Sequence, residues 1–587
     1  MSPRLCPRRP GARRPGARRL GALAALVTVL VSGCSTVPSS SPTVPITQVA
    51  GPTDGAVGIE PLPPEAGATP EEVVRGFIDA SASSVRNHPV ARQYLSEEAA
   101  DSWRDSDGVT VLSGDYARVQ TQPGIVEVTA NEVGTVDERG SFTVGGGEVF
   151  VRNFTLSDES GEWRITDPPD GLLLLEPDFA RTYEPVDAYF LDPTGTRVVP
   201  DPRYLVDGEA QPNALVERLI AGPSPAIAAG VTNPLAGAAL RSTVSTSGQT
   251  ATVDLTFPAD VTDATLIGAS GQLVWSLEQL GFQSVVVLRD GQELGLSDVP
   301  SEQGVGDWAA LDPDAAPADA VGHYLVDGAL YRAADGTPAP GPAGEAAYGL
   351  TAAGVSVDTR TGALDWTVGV SAAPAGGLAT LLAGPYGGEL APALTGASFT
   401  DPTSAAPRAE VWTVRNGTEV IRVPSGGAPQ TVSATTLSGL GRTSEFQLSP
   451  DGVRAAVVIE GPQGGQLYVG TVVRDEDVVS VRDLRSVAPS VRQIVDVAWR
   501  NAGLLMLLAG DPSTGRTVPY TVGVDGWLLT EVTDSGLPGQ PTALAAAPGR
   551  QPLVSADDTM WQFAGGYWVT LVRGAPPLRG SAPFYPT

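Results

Sequence analysis

The constraint that bears hardest on this chain's fold is a repeat in its C-terminal half. FQLSPDGVRAAVVIE (Phe446–Glu460) reads as an apolar strand, a Ser-Pro-Asp-Gly reversal and a second strand. The same shape recurs, degraded, in YGLTAAGVSVD (Tyr348–Asp358), ASFTDPTSAAPRAEVWTV (Ala397–Val414), VAWRNAGLLMLLA (Val497–Ala509) and ALAAAPGRQPLVSAD (Ala543–Asp557). Registered on Thr351, Thr400, Ser449, Arg500 and Ala547, the copies lie 49, 49, 51 and 47 residues apart. A unit of that length holds several short strands, and sheets repeating at that interval are the blades of a β-propeller. GHYLVDGALYRAADG (Gly322–Gly336) supplies only an outer hairpin, and SAPFYPT ends the chain without one. Chain ends that share a blade close the ring and remove both sheet edges. The pattern predicts a propeller over residues 297–587 with five to seven blades, six favoured.

The remaining half must fold separately, since 587 residues exceed what one core supports. With 69 Gly, 52 Pro and few aromatics, the composition reads as turn-rich and mostly β. Over 69–184 the first folded unit opens at Thr69-Pro70-Glu71-Glu72, a cap, a first-turn Pro and a capping-box Glu. Val73, Val74, Phe77 and Ile78 then share one helical face. A second helical region spans about 90–103, with Ser96 as a cap inside it. Beyond Gly114 the pattern alternates with period two, around Ile125–Val128, Phe142–Val144, Val149–Leu156 and Trp163–Ile165. Two helices followed by a curled antiparallel sheet predict an α+β domain of the nuclear-transport-factor-like kind, a label that carries no function. Phe77 and Trp163 are expected in its core.

Residues 185–296 order as β-α-β-α-β: a strand in AYFLD (Ala188–Asp192), a helix over 212–220 stopped by AGP, the strand ATVDLT (Ala251–Thr256), a helix through QLVWSLEQL (Gln272–Leu280), and the strand in SVVVLRDGQ (Ser284–Gln292). The sequence RLIAGPS, ATVDLT, QLVWSL, VVLRDG resembles the GerM sporulation and germination module. That resemblance implies a small extracytoplasmic α/β module, protein-interacting or cell-wall-associated; Asp254 and the Asp290-Gly291 turn read as structural.

The first 33 residues form an address. Seven Arg (Arg4, Arg8, Arg9, Arg13, Arg14, Arg18, Arg19) precede Leu20–Val31, an apolar run too short for the roughly 20 residues of a spanning helix. An uncleaved anchor helix is the alternative. Val31-Ser32-Gly33-Cys34 decides for a signal peptide, because it resembles the bacterial lipobox. That resemblance implies an S-diacylglyceryl and N-palmitoyl group on Cys34 and cleavage just before it. The only other cysteine, Cys6, leaves with the leader, so Cys34 has no thiol partner. Two or more acyl chains make such an anchor durable. Residues 34–68 carry seven prolines among Ser, Thr and Gly, and read as a semi-rigid tether reaching on the order of 100 Å in the polyproline limit. The expected location is the extracytoplasmic face of the cell membrane.

The residue inventory then removes chemistries one by one. The chain has no lysine, hence no Walker A loop, Schiff-base nucleophile or Ser-x-x-Lys dyad. The mature chain keeps one thiol, assigned to lipid, so cysteine catalysis and zinc–thiolate sites drop out. His88 and His323 are the only histidines and fall in different predicted domains, one read as a helix-entry residue, the other as surface or core. No Asp-rich calcium loop is present, RDEDVVSVRD (Arg474–Asp483) being a solvated hairpin. No catalytic, cofactor or metal residue is assigned. Net charge is −29, and losing a leader with seven Arg and no acid makes it more negative still, which disfavours nucleic acid. The surviving enzyme class is a glycosidase, which needs only two carboxylates. A carbohydrate-binding or hydrolysing propeller is therefore the alternative reading, with Asp451 set aside as a turn residue.

Lipobox, tether, α+β domain, GerM-like module and propeller, in that order, resemble the actinobacterial lipoprotein LpqB family over the whole chain. The resemblance implies a non-enzymatic accessory of the MtrA–MtrB two-component system. Its partner would be the extracellular domain of an MtrB-like sensor histidine kinase, with cell-wall material as a second class of partner. It also implies a role in cell-wall homeostasis and division. It carries over no site residue beyond Cys34.

Overall fold

Thr69 caps the first helix as its neighbours dictate. In the computed structural model, which describes residues 61–587 except 298, 318–319, 406–407, 476–477, 512, 573 and 587, Thr69 N–H donates to Glu72 Oε2 at 2.8 Å and Glu72 N–H donates to Thr69 Oγ1 at 3.3 Å. The helix α1 (Pro70–Ser81) buries Val73, Val74, Phe77 and Ile78. A 3₁₀ turn (Ala91–Tyr94) and α2 (Glu97–Ser102) follow, Ser96 Oγ accepting from Ala99 N–H. Gly76 has a packing reason: a Cβ there would stand 2.4 Å from the Tyr94 ring.

Strands β1 (Val109–Gln122), β2 (Ile125–Val136), β3 (Phe142–Val144), β4 (Val149–Glu159), β5 (Glu162–Ile165) and β6 (Leu172–Leu175) form one sheet of order β5-β4-β2-β1-β6, with β3 also on β2. Phe77 is fully buried and meets Trp103 and Phe154 at ring-centroid distances of 5.2 and 6.3 Å. Trp163 is half-buried against the same core. The helix α3 (Glu176–Thr182) leads into the second domain.

There β7 (Tyr183–Asp187) pairs antiparallel with β10 (Pro202–Val206). The strand expected at Ala188–Asp192 is reduced to β8 (Phe190–Leu191), paired with β9 (Val198–Val199), because Asp192 already folds back on Thr194, Thr196 and Arg197. The helix α4 (Gln211–Ala221) ends at Gly222, whose φ of 98° only glycine adopts freely. Short β11 (Ala239–Leu240) and β12 (Ser245–Ser247) pair with β13 (Thr250–Thr256). A helix, α5 (Asp263–Glu278), then crosses to β14 (Ser284–Arg289), parallel to β13. This helix starts nine residues before the predicted Gln272. Gly268 and Gly271 are contact points: a Cβ at Gly268 would stand 3.0 Å from Pro234, and one at Gly271 2.6 Å from Leu311 and 3.0 Å from Trp308, so the linker lies directly on the helix at Gly271.

The last domain is a six-bladed propeller, five of its sheets four-stranded and the sixth carrying a short fifth strand, as the period implies. Its first blade takes three strands from residues 323–338 and its innermost strand from Ser581–Phe584 at the chain's end. The register of the repeat needs correcting. Tyr348–Asp358 holds no reversal but one continuous strand, Leu350–Val357, and in the next copy Thr400-Asp401-Pro402 leads into the strand Thr403–Ala405, which pairs antiparallel with Arg408–Arg415. The period survives because it is set by whole blades; the turn residue wanders because the side-chain lock of Phe446–Glu460 recurs only in part, as Asn501 Oδ1 accepting from Gly503 N–H at 3.0 Å. In that lock Asp451 accepts from Ser449 Oγ and Val453 N–H at 2.5 and 2.9 Å.

Candidate functional site

Cys34, the one residue assigned chemistry from sequence, lies outside the described residues. His88 and His323 sit far apart in role as well as in sequence. His88 Nδ1 contacts Asp105 Oδ2 at 2.8 Å, and Arg92 holds the other oxygen of Asp105 at 3.0 Å. Arg92 also stacks its guanidinium 5.2 Å from the Trp103 ring centroid and donates to the Ala100 and Trp103 carbonyls, so the trio braces the C-terminal end of α2. His323 is fully buried at the ring closure: Nδ1 meets the Val321 carbonyl at 2.8 Å, Nε2 meets Tyr386 Oη at 2.9 Å, and its ring stacks on Phe584 at 5.4 Å. Burial pulls its pKa down to about 4, which keeps it neutral.

The propeller does gather carboxylates. Asp401, Glu445 and Asp496 belong to three consecutive blades and feel one another's charge. Each is walled in by neighbouring atoms, and that desolvation drives their pKa values up, Asp401 to about 6, Glu445 well above the ordinary carboxylate range and Asp496 to about 8. Asp496 accepts from Val497 and Leu544 N–H at 2.7 and 2.6 Å, which ties blade five to blade six. A cavity walled by residues of all six blades, Trp499 and Phe584 among them, has about 40 Å³. That volume holds a few waters and no sugar ring.

The roomier site is where the three domains meet. A cavity of about 290 Å³ is bounded by β3 and its approach, by Asp201, Pro202 and Ser224–Ala226, and by the fourth and fifth blades. Cavities at domain junctions of this order are the usual places for small molecules. Its walls are fixed by contacts that cross domains. Arg454, 3% exposed, donates through Nη2 to the Pro200 carbonyl, and Thr471 Oγ1 donates to the Ala226 carbonyl. Asp201 accepts from Arg203 Nη2, Ser224 N–H and Ser224 Oγ, each at 2.7 Å. Tyr204 Oη donates to Asp525 Oδ2 at 2.8 Å.

Beside that bond, Trp527 leaves its blade and enters the first domain. Its ring lies 5.1 Å from Phe142, 5.0 Å from Phe179 and 5.8 Å from Tyr204, all near edge-to-face. Gly526 makes the approach possible, since its φ is 93° and a Cβ would stand 2.7 Å from the Val487 carbonyl. Sequence reading missed Trp527, Arg454 and Tyr204. The available signal was a Trp directly after an Asp-Gly turn, where an outer hairpin has no use for a large apolar ring.

Comparison with known proteins follows the same division. Residues 63–180 match the family model "Lipoprotein LpqB, N-terminal domain", residues 187–295 match "Sporulation and spore germination", and residues 328–586 match "Lipoprotein LpqB beta-propeller domain". The chain is 32% identical over 468 residues to "Lipoprotein LpqB" of Rhodococcus opacus (strain B4), covering 75% of this chain and 76% of that one. To "Lipoprotein LpqB" of Thermobifida fusca (strain YX) it is 30% identical over 615 residues, covering 94% and 97%. Among solved structures, TolB from Acinetobacter baumannii overlaps 47% of this chain and 69% of its own at 10% identity, with a TM-score of 0.32.

Proposed function

Because this chain belongs to the LpqB lipoprotein family, we propose that it is a lipid-anchored, extracytoplasmic accessory protein without catalytic activity. It is held to the membrane through Cys34 and presents its three domains to the extracellular domain of an MtrB-type sensor kinase. Through that contact it modulates MtrA–MtrB signalling, cell-wall homeostasis and division.

The observation that carries this reading is architectural. A lipobox cysteine and a Pro-rich tether precede domains that are joined by buried contacts into one unit, with Trp527 and Arg454 at the joint. A shared membrane and a bounded tether raise the local concentration of partner, so a modest interface is enough. The rival reading, a wall-directed glycosidase or carbohydrate-binding propeller, has carboxylates on three blades, but none of them lines the cavity of about 40 Å³ that the six blades enclose.

The test is a pull-down of purified sensor-kinase ectodomain on the immobilised full chain, with soluble glycan strands in a parallel arm. Retention of the ectodomain supports the proposal. Retention or cleavage of glycan with no capture of the ectodomain transfers the function to the rival.

A further inference from the structure

The sheet of the first domain has an unfinished edge. In the order β5-β4-β2, β5 covers only Leu156–Glu159 of β4, and Thr166 N–H donates to the Thr155 carbonyl at 2.8 Å. Upstream of that point β4 pairs on one side alone, Val149–Thr155 lying against Ile125–Asn131. Even-numbered positions make the bonds to that neighbour: Glu148 C=O accepts from Glu132 N–H, and Leu156 N–H donates to Gly124 C=O. Alternation then turns the backbone groups of Val149, Val151 and Asn153 outward, where no strand lies beside them among the described residues. Natural edges are blunted by proline, inward-pointing charge or a covering element. No proline falls within Glu148–Asn153, and Val149 and Val151 stand 58% and 57% exposed, so this stretch is open. Such an edge accepts an extended strand, whose main-chain bonds give affinity and whose side chains give specificity.

The local sequence is complementary to itself. Glu148-Val149-Phe150-Val151-Arg152 is symmetric in its apolar residues about Phe150 and opposite in charge at its two ends. Laid antiparallel on a second copy with Phe150 on the two-fold axis, Val149 of each chain faces Val151 of the other, and each pair exchanges both N–H···O=C bonds. The two Phe150 rings meet at the axis as the closer, non-hydrogen-bonded kind of pair. Glu148 of each chain then faces Arg152 of the other. Both charges are available for that contact. Glu148 is exposed and makes no ion pair among the described residues, and Arg152, which reaches Asp167 through Nη2 at 3.4 Å, keeps a buried Nε without an acceptor. Moving the axis to Val151 sets Glu148 against Phe154 and forfeits both charge pairs, so charge fixes the register.

We propose that the open edge of β4 pairs with the same edge of a second copy of this chain, giving a two-fold dimer whose sheet runs on through both first domains. The contact is isologous, so it closes at two copies and does not propagate. This goes beyond the anchoring and signalling role and does not depend on it. Where anchorage holds, a shared membrane raises the local concentration of the second copy.

The mature chain carrying C34S has no thiol, so a single introduced cysteine reports what lies next to it. V149C and V151C, both at exposed positions, are oxidised in a glutathione buffer, each alone and as an equimolar mixture, and disulfide dimers are measured on non-reducing gels. The register sets these two positions opposite one another at a Cα separation of about 5.5 Å, within reach of a disulfide, whereas each lies about 7–8 Å from its own counterpart across the axis. The mixture is expected to give at least about fivefold more dimer than either variant alone. E148R, added to both chains, sets Arg against Arg and is expected to lower that yield at least about fivefold. Its circular dichroism should match the parent's, because Glu148 has no ion-pair partner in its own chain among the described residues. Sedimentation velocity of the C34S chain is expected to show a dimer that E148R returns to monomer. Equal yields from the mixture and the single variants, a yield that E148R leaves unchanged, or a monomer at every concentration overturns the proposal. The last is also the result if another segment of this chain or a foreign peptide covers the edge.

Discussion

The ring closure and the three-domain joint solve the same problem, locking distant parts of one chain, by opposite means. At the closure the lock is backbone pairing of Ser581–Phe584 onto His323–Val326, reinforced by a neutral histidine packed on Phe584. At the joint, among the described residues, no strand pairs across from the propeller; side chains do it, with buried Arg454 on a carbonyl and Trp527 in a ring of aromatics. Backbone pairing tolerates sequence drift, because every residue but proline carries the same groups. A side-chain lock depends on a few residues and fails when one is lost. The joint is therefore the more fragile of the two to point substitution, and the closure the more fragile to truncation.

That contrast can be broken at several places. Deleting residues 580–587 removes the strand that seals the ring and exposes two sheet edges, so the propeller is expected to lose its cooperative transition in scanning calorimetry and to aggregate. W527A is next. Truncating a buried indole costs about 3–5 kcal/mol, and here the cost falls on the joint. The expected result is a split of one calorimetric transition into two, with the propeller's own transition near its original temperature. R454A should cost a similar 3–5 kcal/mol by leaving Asp451 buried without its counter-charge, whereas the double variant R454M/D451L should recover most of it. Retained stability in R454A would mean that the joint does not rest on this residue.

The first of these was readable in advance and the second was not. The half-blade at Gly322–Gly336 and the bare end SAPFYPT announce closure because a repeat makes its own missing piece visible. The helices of the first domain were readable too, since Thr69, Pro70 and Glu72 act within four residues of each other. Tyr204 and Asp525, or Arg454 and Pro200, stand hundreds of residues apart, and nothing local in either stretch points to the other. The early start of α5 was hidden for the same reason: Gly271 makes room for Trp308 and Leu311 and Gly268 for Pro234 and Leu191, all distant in sequence. The cluster of Asp401, Glu445 and Asp496 was hidden by the drift of the repeat's turn, which disguised their common placement on successive blades.

The ring closure and the propeller's carboxylate cluster also differ in how they answer to pH. His323 has a folded pKa of about 4, against about 6.5 when unfolded. Its contribution is therefore complete above about pH 6.5 and is lost as pH falls toward 4, by up to about 3 kcal/mol. H323Q should be less stable at neutral pH and should flatten that acid limb in calorimetry. Glu445 runs the other way. Its carboxyl holds its proton in the folded chain beyond the pH at which the unfolded one releases it, so stability is lost as pH rises. E445Q is expected to raise the melting temperature at pH 8 and to change it little at pH 4, the smallest of these effects.

The proposed accessory role rests on anchorage through Cys34, and Cys34→Ala tests it most directly. Cells carrying that variant are fractionated and the phosphorylation of the response regulator is followed. The account predicts that the protein leaves the membrane fraction and that regulator phosphorylation changes with it. Unchanged membrane association together with unchanged phosphorylation would contradict it.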